Sequence, residues 1–169
     1  RVGICGEQGH AGYYEATVQE AVKAQLTVTE RTGMARYEYP AGEAFGTVII
    51  GAGIAATPIE QAAVVITGPN RCEGYAEGGS FCGVRTPYKV YFVAEFDARA
   101  VTTGIWKEDR LIPGGRFAEG SESGVYFTFD LTENRNVQYK IGVSYVSVEN
   151  ARANLAAENA GLSLIHISE

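Results

Sequence analysis

Apolar and polar residues alternate with a period of two through much of this chain, and that period leaves few folds open. Val22, Ala24, Leu26 and Val28 alternate with Lys23, Gln25, Thr27 and Thr29. Successive side chains of a strand point to opposite faces, so this is a half-buried strand. Thr32-Gly33 reads as a turn. Ala35, Tyr37 and Tyr39 then alternate with Met34, Arg36 and Glu38 until Pro40, completing an antiparallel hairpin. Val90, Phe92, Ala94 and Phe96 alternate with Tyr91, Val93 and Glu95. The runs Val125 to Phe129 and Val137 to Tyr145 read as a further strand pair, joined by the turn chemistry of Thr132-Glu133-Asn134-Arg135-Asn136. There are 21 glycines in 169 residues, well above the average of about 7%, and they read as punctuation between strands.

One segment carries a helical period instead. Ser147 is a capping residue, and Val148, Ala151 and Leu155 fall on one face. Glu149 sits in the first turn, where the helix dipole favours an acid. Strands first and a single helix last give no βαβ alternation. The expected fold is therefore mainly β: an antiparallel β-sandwich with one C-terminal helix near 148–159.

Composition removes several function classes. A net charge of −6 and a pI near 5.0 leave no basic surface for nucleic acid. No apolar run approaches the roughly 18 residues of a membrane helix, and the opening residues hold no apolar signal core. Cys72 and Cys82 are spaced so that they can pair, which leaves Cys5 over; that pairing stays open. With no Cys-x-x-Cys and only His10 and His166 as histidines, a zinc site lacks ligands and histidine-dependent nucleophilic catalysis lacks bases. Only three of the acids are Asp (Asp97, Asp109 and Asp130), and no Asp-rich loop has calcium-ligand spacing.

Thr47-Val48-Ile49-Ile50-Gly51-Ala52-Gly53-Ile54-Ala55-Ala56 imitates the opening of a dinucleotide-binding fold, a strand running into Gly-x-Gly-x-x-Ala. Glu73 even stands where a ribose-binding acid would follow. The context fails. Pro58 lacks the amide that a second helical turn needs, and the run Val64-Val65-Ile66-Thr67 begins too soon for a helix between. Glu73 falls in a Gly-rich stretch read as a loop. The better reading is two strands joined by a Gly/Pro loop, with a nucleotide-binding oxidoreductase as the weakest of the functional alternatives.

Other segments are less generic. Glu7-Gln8-Gly9-His10-Ala11-Gly12-Tyr13-Tyr14 is followed by Leu26 to Pro40 (Leu-Thr-Val-Thr-Glu-Arg-Thr-Gly-Met-Ala-Arg-Tyr-Glu-Tyr-Pro). Gly79-Ser80-Phe81-Cys82-Gly83 and Tyr88-Lys89-Val90-Tyr91-Phe92-Val93-Ala94-Glu95-Phe96-Asp97 come next. Last is Lys140 to Leu155, which includes Val143-Ser144-Tyr145-Val146-Ser147-Val148-Glu149-Asn150-Ala151-Arg152. In this order and spacing they resemble the N-terminal domain of glycoside hydrolase family 92, the exo-acting α-mannosidases. The resemblance runs from Glu7 to about Leu162. Ala11 stands where the family usually has Pro before Gly-Tyr-Tyr.

The resemblance implies a β-sandwich that packs on a C-terminal (α/α)6 barrel, in an enzyme that removes terminal mannose from glycans with inversion and uses calcium. Inversion needs an acid and a base roughly 6.5–9.5 Å apart, so that a water fits between base and sugar. In the family those carboxylates and the calcium ligands belong to the barrel, so no catalytic or metal residue is carried onto this chain. Residues 1–162 are then a sandwich truncated at both ends, with the barrel as its missing partner. Export to the periplasm or beyond the cell is implied on the same ground. Residues 163–169 (Ser-Leu-Ile-His-Ile-Ser-Glu) read as a translated sequencing adapter rather than native sequence.

Three residues are candidates for the rim of a sugar pocket. Glu7 offers a carboxylate to sugar hydroxyls, and Tyr13 and Tyr14 offer faces to a pyranose ring. Trp106 is weighed as a stacking platform against sandwich packing. A stand-alone carbohydrate-binding sandwich remains the alternative function. The aromatic content of 11% in a truncated domain implies an apolar patch left bare. The isolated chain is therefore expected to associate: on sizing at high concentration it elutes above its 18.1 kDa monomer mass, and a monodisperse monomer contradicts this.

Overall fold

A computed structural model describes residues 3–19, 21–52, 58–81 and 83–160 of the chain. They form thirteen strands and one helix. The strands are β1 (Ile4–His10), β2 (Tyr13–Val18), β3 (Val22–Val28), β4 (Thr32–Glu38), β5 (Phe45–Gly51), β6 (Ile59–Gly68) and β7 (Arg71–Phe81). Then follow β8 (Val84–Phe96), β9 (Thr102–Lys107), β10 (Arg110–Pro113), β11 (Phe117–Glu119), β12 (Ser123–Asp130), β13 (Asn136–Ser144) and the helix α1 (Val148–Asn159). A nine-stranded sheet has the order β1-β2-β3-β4-β13-β8-β7-β6-β11, and a four-stranded sheet the order β10-β9-β12-β5. The pairings are antiparallel throughout.

The two sheets face each other across one apolar layer, as a β-sandwich does. Val64 and Ile66 of β6, Cys72 of β7, Phe92, Ala94 and Phe96 of β8, and Val137 of β13 come from the large sheet. Val48 of β5 and Val125, Phe127 and Phe129 of β12 come from the small one. Phe96 is the junction: its ring lies 4.8 Å from that of Phe127, 4.9 Å from Phe129 and 5.4 Å from Tyr139, all tilted.

The helix lies on the opposite face of the large sheet. Ser147 caps it by accepting from the Asn150 amide at 3.1 Å. Ala151 and Leu155 pack on Val93, whose neighbours Phe92 and Ala94 face the sandwich instead. Gly142 of β13 permits the approach. A Cβ there would strike the Ala151 carbonyl and come within 2.8 Å of Leu155 Cβ. Three ties hold it to the sheet: Arg152 to Glu73 at 2.9 Å, Asn154 Nδ2 to the Val143 carbonyl at 2.9 Å, and Asn159 Nδ2 to Thr32 Oγ1 at 2.8 Å. Glu158 accepts from Thr29 Oγ1 at 2.6 Å and from the Arg31 amide at 3.0 Å, and these bonds hold its carboxyl below the ordinary value.

The sandwich and the helix stand where the sequence placed them, but some local readings do not. Thr32 and Gly33 are not a turn; they open β4, and the reversal falls at Glu30 and Arg31. The runs at β12 and β13 are not partners. They belong to different sheets, so Thr132 to Arg135 arches across the sandwich instead of closing a hairpin. Glu73 lies within β7, where it pairs with Val65 and Val93, and not in a loop. Several glycines, among them Gly74, Gly104, Gly124 and Gly142, sit inside strands because a ring or a backbone passes over them. β5 is the edge of an antiparallel sheet, paired with β12, which overturns the dinucleotide-binding alternative. Gly53 and the loop after it lie outside the described residues.

Replacing Gly142 with Val wedges a branched side chain under α1. The expected cost is about 2–3 kcal/mol, or a fall of roughly 5–10 °C in Tm, measured by thermal denaturation. Wild-type melting of this variant contradicts the packing described.

Candidate functional site

Tyr13 and Tyr14 are neighbours on β2 and therefore lie on opposite faces of the large sheet. Tyr14 lies on the sandwich-facing side, and its hydroxyl donates to Glu7 Oε1 at 2.5 Å. That bond keeps the Tyr14 hydroxyl protonated to higher pH than usual. Tyr13 lies on the helix-bearing side. Its hydroxyl donates to Glu15 Oε2 at 2.8 Å and accepts from Gln25 Nε2 at 2.7 Å, and its ring stacks on His10 at 5.3 Å. The structure thus joins Glu7 with Tyr14 and separates both from Tyr13. No single pyranose can meet all three.

Tyr13 begins a polar ladder that the sequence analysis missed. Glu15 binds Lys23 at 3.1 Å and accepts from Gln8 Nε2 at 2.7 Å. Gln25 accepts in turn from Arg36. Glu15, Gln25, Arg36 and Gln138 stand in register on β2, β3, β4 and β13, and Gln138 donates to Asp97 through its amide at 3.0 Å. The Tyr13 hydroxyl, followed by Lys23, holds the Glu15 carboxyl below its ordinary value. The signal was legible: Gln25 and Arg36 occupy the polar phase of two strands read as paired.

The other acids of this face are engaged in the same way. Glu95 pairs with Arg71 at 3.3 Å and Glu77 with Lys89 at 3.0 Å. A shallow cavity of about 360 Å³ beside α1 is lined by Met34, Glu95, Asp97, Gln138 and Lys140. Its two acids are the ones tied to Arg71 and Gln138. Asp97 accepts from both the backbone amide and the side-chain amide of Gln138.

The remaining candidates resolve plainly. Trp106 of β9 is neither core nor open platform: its ring lies over Gly124 on the outer face of the small sheet, with Nε1 buried and unpartnered. Tyr139 packs into the core, Tyr126 covers Gly104, and Tyr145 is 74% exposed. Cys72 is a free thiol in the core, where burial pushes its pKa up to about 12 and leaves it no use as a nucleophile. Cys82 lies outside the described residues. Among the described residues no three His, Cys, Asp or Glu side chains converge to hold a metal ion.

The family model described as glycosyl hydrolase family 92 N-terminal domain matches residues 5–144. The chain belongs to glycosyl hydrolase family 92. Three solved structures place the family domain in context. The family 92 glycosyl hydrolase ccman5 superposes with a TM-score of 0.83 at 20% identity, over 97% of this chain and 23% of its own. The family 92 α-mannosidase BT3965 from Bacteroides thetaiotaomicron gives 0.81 at 22%, over 99% and 23%. A bacterial glucoamylase complexed with acarbose gives 0.60 at 13%, over 92% and 25%. This family 92 chain therefore spans about a quarter of the length of the proteins it superposes on. No curated protein matches it.

The two described thiols of this domain should differ sharply in reactivity. Maleimide is expected to label exposed Cys5 in the native chain, and Cys72 only after unfolding, read by peptide mapping. Native labelling of Cys72 contradicts its place in the core.

Proposed function

We propose that this domain is the non-catalytic N-terminal layer of an exo-acting α-mannosidase, which releases terminal mannose from glycans with inversion. The observation that carries the reading is the family match together with the fate of the acids. Inverting hydrolysis needs one carboxyl kept protonated as acid and another free to activate water. Here Glu15, Glu73, Glu77, Glu95, Glu158 and Asp97 are each tied to a neighbouring cation, hydroxyl or amide on the sheet surface or on α1. The resolved shifts on Glu15 and Glu158 are downward, away from a general acid. On this reading the acid and the base belong to the barrel outside this chain.

On the same reading the calcium implied by the family resemblance is held by the barrel. The domain supports the barrel and contributes at most rim contacts, for which the Glu7–Tyr14 pair is the candidate. Its partners are then the barrel and a mannose-terminated glycan. On the same resemblance we infer that the enzyme is secreted or periplasmic.

Two measurements test the reading. The polypeptide extended to family length is expected to hydrolyse an aryl α-mannoside and to release the opposite anomer, followed by proton NMR. Residues 1–162 alone are expected to show no hydrolysis and no mannobiose binding by calorimetry up to about 1 mM, a ceiling that corresponds to a binding free energy of about −4 kcal/mol. Turnover by the short chain overturns the division of labour. Sub-millimolar binding by it favours a carbohydrate-binding module.

A further inference from the structure

The helix α1 is held in two different ways along its length. Val148, Ala151 and Leu155 seat it on Val93 by apolar contact. That seat ends at Leu155: Ala156 and Ala157 are exposed, Glu158 is partly buried and Asn159 is buried. The last turn is fixed instead by polar contacts, which run to β13, to the start of β4 and to the reversal between β3 and β4.

The residues of that turn do not suit a free-standing helix end. Cations favour a helix C-terminus, where the last carbonyls carry partial negative charge. Here the last turn has no basic residue and carries Glu158 instead. Lys140 of β13 supplies the cation, donating to the Asn159 carbonyl at 3.2 Å. Glu158 reaches the reversal and accepts three bonds: from Thr29 Oγ1 at 2.6 Å, from the Arg31 amide at 3.0 Å and from Arg31 Nε at 2.6 Å.

The ionised carboxyl sets the direction of the hydrogen bonds behind it. A carboxylate only accepts, and a hydroxyl has one proton to give, so the Thr29 proton goes to Glu158. The Thr32 hydroxyl, 2.7 Å from Thr29 Oγ1, then donates to that oxygen. Thr32 Oγ1 in turn accepts from Asn159 Nδ2 at 2.8 Å. The chain Asn159–Thr32–Thr29–Glu158 thus runs one way, with Asn159 and Thr32 buried. Its polarity leaves Asn159 Oδ1 buried without a hydrogen-bond partner. A protonated Glu158 can donate to Thr29 instead. The chain then reverses: the Asn159 amide turns over, Nδ2 gives up its bond, and Oδ1 accepts from the Thr32 hydroxyl. Two arrangements of the same four side chains are open, and one proton on Glu158 chooses between them.

We propose that the end of α1 is an acid-operated latch. With Glu158 ionised, the latch is closed and the last turn is fixed on the reversal. With Glu158 protonated, the chain reverses, Arg31 loses its carboxylate, and the last turn lets go while Ala151 and Leu155 stay seated. The charged groups around this end are Glu30 and Arg31 of the reversal and Lys140 of β13. Arg31 opposes protonation of Glu158, Glu30 bears on Arg31, and Lys140 is spent on the Asn159 carbonyl. The Thr29 hydroxyl, then the Arg31 amide, hold the Glu158 carboxyl below its ordinary value. The latch is therefore closed through the ordinary glutamate range and opens as pH falls below it.

Amide exchange followed by NMR on the 169-residue chain tests the latch. Glu158→Gln puts an uncharged donor at this position, as protonation does. At neutral pH its amides at Arg31 and at 156–159 are expected to exchange about tenfold faster than in the wild type, with those at 151–155 unchanged. In the wild type the two Asn159 side-chain amide protons are expected to shift as Glu158 titrates. Thr29→Val cuts the chain between Glu158 and Thr32 and is expected to abolish that shift. Wild-type exchange at Arg31 and 156–159 in Glu158→Gln overturns the proposal. So does loss of protection along the whole of α1 in that variant, because the last turn is then no separate unit. Asn159 protons that titrate alike with and without the Thr29 hydroxyl also overturn it.

Discussion

Burial of one aromatic layer between two sheets governs the rest of this structure. Phe96 meets Phe127, Phe129 and Tyr139 within 5.4 Å, and Phe127 and Phe129 are almost wholly buried. A fully buried aromatic contributes on the order of 2–3 kcal/mol of transfer free energy. The cluster outweighs any exposed ion pair described here, since such pairs contribute about 0–1 kcal/mol. Because side chains alternate, fixing the inward phase of β8, β12 and β13 also fixes the outward phase. That outward phase positions Val93 and Gly142 to receive the helix and places Glu73 and Glu95 on the surface.

The two faces of the large sheet consequently do different work. The inward face is apolar and specifies the fold. The outward face is charged, and its groups bind one another across strands: Glu15 with Lys23, Glu77 with Lys89, and Glu95 with Arg71. Such ladders hold register more than they add stability, since a slip by one residue would bring the charges inward and the apolar residues out. The helix reinforces the same register, because Arg152, Asn154 and Asn159 each reach a different strand.

How much of this could be read from sequence follows from the range of each signal. Alternation is local, so β3, β8, β12 and β13 were legible, and so was α1 with its Ser147 cap. Which strands pair is not local. Val125 to Phe129 and Val137 to Tyr145 look like a hairpin because a short polar turn joins them, yet both have inward apolar residues that two facing sheets can share. The Thr32-Gly33 reading failed because Gly in this chain also occurs inside strands: Gly33 lies within β4, and at Gly74, Gly124 and Gly142 a side chain would strike a neighbouring backbone carbonyl. At the candidate rim, sequence proximity made Tyr13 and Tyr14 look like one feature. The pleat divides them, and only the Glu7–Tyr14 half survives as a pair.

The proposed division of labour between this domain and a catalytic barrel has a physical root. A carboxyl can act as a general acid only where its environment raises its pKa, through desolvation or a like charge nearby. A sheet surface laced with cross-strand cation partners does the reverse, because each neighbour favours the ionised form. Glu15 shows that direction, held down first by the Tyr13 hydroxyl and then by Lys23, and so does Glu158 of α1 through the Thr29 hydroxyl and the Arg31 amide. The interactions that keep these strands in register thus favour the ionised form of their acids, which is the physical basis for proposing that the catalytic pair lies in the barrel.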